Sequence, residues 1–307
     1  MKIAQMSKRV FLLVAVNILV VTTITIVLGL LRVGNYFPQG GLAGLAVFCL
    51  VWGFGGAFIS LALSRLMAKW MMGVQIIPAN TSDPVLQQLV QTVHGQARAA
   101  GLPKLPEVGI YESPEVNAFA TGPTRSRALV AVSTGLLNRM GTREVEGVLG
   151  HEVTHIANGD MVTMTLIQGV INAFVMFLSR VLAFVISQAM RSRDDREGGG
   201  GMLQFVLVIV FQIVFSLLGM MVVCWFSRWR EFRADAGGAK LAGRESMISS
   251  LRALKRFNDP EIAAAEAHHA PAFQALKISG QPSGFMALLA THPPLDQRIA
   301  RLEQGAF

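Results

Sequence analysis

Five consecutive residues, His151-Glu152-Val153-Thr154-His155, carry the strongest chemical signal in the chain. On a helix, residues four apart share a face, so both imidazoles can reach one metal ion. Glu152 points roughly 100° around the helix from His151, which sets a carboxylate beside the metal and not on it. Two neutral imidazole ligands, an open coordination position and an adjacent base are what zinc-assisted peptide hydrolysis requires. The flanks favour a helix. Thr142 is placed to cap it, and Glu144 and Glu146 fall in its first turn, where the dipole favours negative charge. Val145, Val148, Leu149, Val153 and Ile156 form an apolar stripe beside the histidine face. The helix thus offers one face to a core and an adjacent face to a metal.

A zinc protease needs a third protein ligand, and Glu231 in Trp229-Arg230-Glu231-Phe232-Arg233-Ala234-Asp235 is the candidate. Glu231 and Asp235 are four apart and share a helix face, so one can bind metal while the other supports a ligand histidine. Spacing alone equally fits an exposed face with Arg–Glu pairs. Chain topology favours the ligand reading. An apolar hairpin separates His155 from Glu231, and two spans leave and return to the same side of a bilayer.

The elements that must position these residues are set by composition. The 307 residues are 52% hydrophobic and only 15% charged, with mean hydropathy +0.48, a membrane-protein composition. Four segments are long enough to span: 10–31, 42–63, 161–186 and 202–226. Lys2, Lys8 and Arg9 precede the first, which is too long for a signal-peptide core and reads as a retained anchor. Arg65 and Lys69 follow the second and Arg228, Arg230 and Arg233 the fourth. The positive-inside rule therefore puts both termini and 64–160 in the cytoplasm, with Arg191, Arg193 and Arg196 as a weaker counter-signal. The net charge of +8 gathers at the ends of apolar runs, which suits a membrane surface. No phosphate loop, RNP-like motif or zinc-finger spacing points to nucleic acid. Cys49 and Cys224 both lie in apolar runs and make no CxxC.

The expected fold class is a mostly α integral membrane protein with a small β element: four transmembrane helices plus a cytoplasmic zincin-like catalytic domain. Residues 1–63 form a first membrane hairpin, 64–160 the first catalytic part, 161–226 a second hairpin, and 227–307 the second catalytic part with the third ligand. Within 64–160, a helix is expected over 84–100 and strands over 107–113 and 128–133. His94, His268 and His269 read as solvated.

His151 to Met161, HEVTHIANGDM, together with Glu231 to Asp235, EFRAD, resembles the HtpX-type membrane metallopeptidases, bacterial relatives of the CAAX prenyl proteases. The resemblance extends to Asn117-Ala118-Phe119-Ala120 and to Thr291-His292-Pro293-Pro294. It implies a zinc endopeptidase of the bacterial inner membrane with a cytoplasmic active site, acting on misfolded membrane proteins in stress responses. It implies one Zn2+ on His151, His155 and Glu231, Glu152 as general base, and Asp235 behind a zinc histidine. Asn117 and His292 would line the substrate cleft, and Arg298 would help organise the site. Expected partners are membrane-protein substrates, the lipid bilayer and other quality-control proteases of the membrane, with no nucleic acid. From the residues alone, Asn117 equally reads as a turn asparagine, His292 as a ring fixed before a Pro-Pro turn, and Arg298 as a surface charge.

Four other readings fit less well. An intramembrane zinc protease of the site-2 kind is disfavoured because Asn158, Gly159 and Asp160 follow the histidines before the apolar run begins. A CAAX-type processing peptidase shares the chemistry but has more spans enclosing a chamber. A non-catalytic zinc adaptor has no use for Glu152. A transporter requires ionisable residues within its spans, and these have almost none.

Overall fold

The computed structural model describes residues 41–78, 80–190, 199–257 and 288–305. The expected span at 10–31 and the pair His268 and His269 lie outside the described residues. The chain divides into two compact units, Met1–Phe58 with Leu166–Val223, and Ile59–Thr165 with Cys224–Phe307.

Among the described residues three helices are long and apolar enough to cross a membrane: α1 (Gly41–Met71), α5 (Asp160–Ala189) and α6 (Gly199–Ala242). They cover the expected spans at 42–63, 161–186 and 202–226, so three of the four lie among the described residues. In the first unit these helices meet through small residues. A Cβ on Gly53 would stand 2.6 Å from the Ala173 backbone nitrogen, and one on Gly169 2.6 Å from the Phe54 ring. Lipid cannot drive helices together by apolar burial, so close backbone approach and dispersion must do so. Val51, Phe174 and Val222 are each more than half exposed, as lipid-facing side chains would be.

The second unit holds a four-stranded sheet in the order β1-β2-β4-β3, formed by β1 (Gln75–Ile76), β2 (Glu107–Tyr111), β3 (Ala118–Thr121) and β4 (Leu129–Ser133). β2 and β4 run parallel, with Val108 opposite Val130, and the flanking strands are antiparallel. All five residues of β4 are buried, because both faces of the sheet are covered. On one face Val130 and Val132 pack with α2 (Pro84–Ala99), α3 (Thr134–Arg139) and α4 (Thr142–Asn158). On the other, Leu129 and Ala131 meet Ala68, near the end of α1, and Tyr111. The helix α7 (Arg244–Phe257) lies against α4, and α8 (Leu295–Glu303) closes over α7 through Ile299 and Leu302.

Local chemistry explains most boundaries. Asp83 caps α2, its Oδ1 accepting from the Val85 and Leu86 amides, ahead of Pro84 at the first helical position. For α4 the expected cap is wrong by one residue: Thr142 is the first helical residue, and Gly141 occupies the cap position. Gly141 has no side chain to offer, so Glu144 compensates, its Oε2 accepting from the Gly141 amide at 3.0 Å.

Candidate metal centre

Two of the ligand candidates are set by α4 and one by α6. The apolar positions Leu149, Val153 and Ile156 bury α4 completely on one side, which fixes the rotation of the helix and turns His151 and His155 to one face. Glycines let α6 approach closely. A Cβ on Gly238 would lie 3.0 Å from the His151 amide nitrogen, and one on Gly237 2.2 Å from the Thr154 side chain. That approach brings Glu231 and Asp235 up to the histidine face.

The three candidate ligand atoms converge. His151 Nε2 and His155 Nε2 are 3.1 Å apart, and they lie 3.3 and 3.4 Å from the two carboxylate oxygens of Glu231. A tetrahedral ion with ligands at about 2.0–2.1 Å separates them by roughly 3.3–3.4 Å, so the spacing fits zinc. The donor chemistry fits as well. Each histidine directs its other nitrogen to a carboxylate: His151 Nδ1 donates to Asp235 at 3.0 Å and His155 Nδ1 to Asp160 at 2.6 Å. With the ring proton held there, both Nε2 lone pairs and the Glu231 carboxylate face one another, and only a cation relieves the repulsion. Glu231 and Asp235 are 1% and 2% exposed, so water does not screen them.

The rest of the centre is built behind these atoms. Arg298, on α8, donates to both Asp235 oxygens, from Nε at 2.8 Å and Nη2 at 2.6 Å. Its Nη1 also stands 3.7 Å from Glu231. It is buried, and the charge survives because the carboxylates answer it. Burial alone would lower the pKa of His151, but hydrogen bonds with Asp235 and Glu231 outweigh it and push the pKa up to about 9. Without a metal, then, His151 holds a proton in the place a cation would take.

The structure brings together His151, His155, Glu231, Asp235 and Arg298. It adds His292, whose Nδ1 is 3.0 Å from Glu231 Oε2 while its side chain stays 62% exposed. Glu152 is half-buried on α4, and no described side chain forms a hydrogen bond or ion pair with it. Asn117 is not in the cluster. It heads β3, where its amide and carbonyl pair with Ser133. His94 is tied to the Pro106 carbonyl, a structural contact.

Asp160 is the residue that motif reading misses. It lies five positions past His155, off the helical repeat, and reaches back because Gly159 adopts φ 69° and ends α4. An acid directly after a glycine at the close of the helix is the only signal the sequence offers.

A buried His₂Glu cluster with carboxylates behind the imidazoles, on a helix beside a small sheet, defines the class. The chain belongs to peptidase family M48, whose profile matches residues 84–306. Within that family the likeness is to HtpX proteases. The protease HtpX homolog of Bacillus subtilis (strain 168) is 52% identical over 307 residues, covering 97% of this chain and 99% of the relative. That of Methylacidiphilum infernorum (isolate V4) is 50% identical over 304 residues, with the same coverage. The crystal structure of S. mikatae Ste24p has the same fold, with a TM-score of 0.60 at 18% identity over 96% of this chain and 66% of Ste24p. The chain is a membrane-bound metallopeptidase.

Proposed function

We propose that the chain is a zinc endopeptidase of the bacterial inner membrane that cuts misfolded or damaged membrane proteins at the cytoplasmic face, in quality control under stress. The observation that carries the chemistry is the convergence of His151, His155 and Glu231 to 3.1–3.4 Å with both imidazoles oriented by carboxylates. These three residues hold one zinc ion. When bound, zinc supplies Lewis acidity toward a water and the scissile carbonyl.

Glu152 takes the proton of the attacking water and passes it to the leaving amine. Asp235 and Asp160 keep their histidines in the ligating tautomer, and Arg298 holds Asp235 in place. His292 donates from Nδ1 to Glu231, and in its imidazolium form, which carries a second proton on Nε2, the far side of the ring also donates to the oxyanion. β3 is an edge strand of the sheet, and a substrate strand added beside it would run past Asn117. The Lys and Arg excess flanking the apolar runs supports a cytoplasmic site and termini.

The test is a paired assay. Wild type and Glu152→Gln are purified in detergent under chelator, loaded with zinc, and offered an unfolded membrane-protein loop and a prenylated C-terminal peptide. The variant is expected to bind one zinc and cut nothing, while wild type cuts the loop. Cleavage by Glu152→Gln would sink the assignment, and preference for the prenylated peptide would move the substrate class.

A further inference from the structure

Arg180 is an exception to the apolar character of α5. It is partly buried inside the first unit, Nη1 donating to the Met176 carbonyl at 3.1 Å and the guanidinium 5.9 Å from the Phe48 ring. Among the described residues no carboxylate pairs with it. Charge inside an apolar span is costly and persists where something answers it. Arg180 borders a crevice of about 750 Å³, lined with Leu45, Phe184, Val185, Gln204 and Val208.

The crevice lies at one end of the three helices. Its residues from α1 and α6 fall in the opening turns of those helices, after Gly41 and Gly199. On α5, Arg180 is nine residues before Ala189, or about 13 Å along the axis. With a hydrocarbon core of about 30 Å, that depth lies in one leaflet, and a long Arg side chain reaches from it toward the headgroups. One cation with an amide beside it, above apolar walls, is the complement of a phosphate carried on acyl chains.

We propose that this crevice is a binding site for an anionic phospholipid, with Arg180 on the headgroup phosphate and acyl chain against Phe184, Val185 and Val208. A positive charge with no carboxylate partner among the described residues favours a lipid with net negative charge over a zwitterionic one.

The test uses the full chain, delipidated in detergent and titrated with phosphatidylglycerol, phosphatidylcholine or inorganic phosphate. Bound lipid is counted by native mass spectrometry and Tm is followed in parallel. Phosphatidylglycerol is expected to bind saturably and raise Tm, with phosphatidylcholine and phosphate doing neither. Arg180→Ala should weaken that binding about five- to tenfold, and Arg180→Lys should retain most of it. Val185→Trp, which keeps the charge and fills the apolar end, should also lose the lipid. Zinc stoichiometry equal to wild type checks that each variant is folded, and Arg180→Lys against Val185→Trp decides the matter if Arg180→Ala is not. Equal binding of the two lipids, displacement by phosphate alone, or undiminished binding to Arg180→Ala or Val185→Trp would overturn the proposal.

Discussion

The two carboxylates behind the histidines do the same job at the metal and different jobs in the fold, and that difference is measurable. His155 Nδ1 donates to Asp160 and His151 Nδ1 to Asp235, both acids nearly fully buried. In Asp160→Asn the amide oxygen still accepts the ring proton, but without charge, so Nε2 is a weaker base. Losing such a partner costs about 10–100-fold in metal affinity, or about 1.4–2.7 kcal/mol. Asp235→Asn loses the same at His151 and also disarms Arg298. Two charge-assisted bonds at 2.8 and 2.6 Å become at most one neutral bond, and Arg298 is 6% exposed. Breaking one side of a buried ion pair costs about 3–5 kcal/mol. Glu231, 3.7 Å from Nη1, keeps the loss toward the lower end. Both variants are therefore expected to bind zinc 10–100-fold more weakly in a chelator competition at neutral pH. The metal-free proteins should separate: Asp160→Asn falls by roughly 2–4 °C and Asp235→Asn by about 6–12 °C in Tm. Equal Tm losses, or wild-type zinc affinity in Asp160→Asn, would refute the division of labour.

The raised pKa of His151 gives the metal-free protein a pH dependence: its contribution is full below the ordinary 6.5 and is lost as pH rises through about 9, so Tm under chelator should drop across that window. Zinc uptake near pH 7.5 should accordingly release about one proton at His151, seen as a buffer-dependent heat in calorimetry. Gly147→Ala should destabilise by about 1–3 kcal/mol in thermal unfolding, because the added Cβ would stand 2.4 Å from the Ser246 carbonyl oxygen where α4 meets α7. Ser133→Ala should cost about 1–3 kcal/mol, since Oγ is fully buried and accepts from the Asn117 and Leu136 amides; an unchanged denaturation midpoint would show that those amides find other partners.

Local periodicity makes some of this legible before any coordinates. The i, i+4 spacings of His151 with His155 and of Glu231 with Asp235 survive as shared faces, because both pairs lie within unbroken helices. Apolar length marks the three described spans, though α6 runs 44 residues through Phe226 to Ala242 and shows no break where composition changes. Strand composition finds β2 and β4 to within two residues, since burial on both faces selects Val, Leu and Ala. β1 has two residues, too few for any pattern to show. Asp160 is hidden because its role depends on a left-handed glycine, not on spacing. The depth of Arg298 is hidden too: in sequence it is one more arginine on an exposed-looking amphipathic helix, and only the docking of α8 on α7 buries it.

The edge position of β3 bears on what such an enzyme can tell apart. A strand pairing there is held by peptide groups, which every residue but proline supplies alike. Selection of this kind is nearly blind to which side chains pass. It is strict about something else: the segment must be free to lie extended over several residues. A native loop or helix has already committed those peptide groups to its own hydrogen bonds, and unfolding it costs more than the pairing returns. If substrates pair there as proposed, the discriminating variable is foldedness, read one backbone amide at a time, and intact proteins of the same membrane would be spared without a recognition sequence.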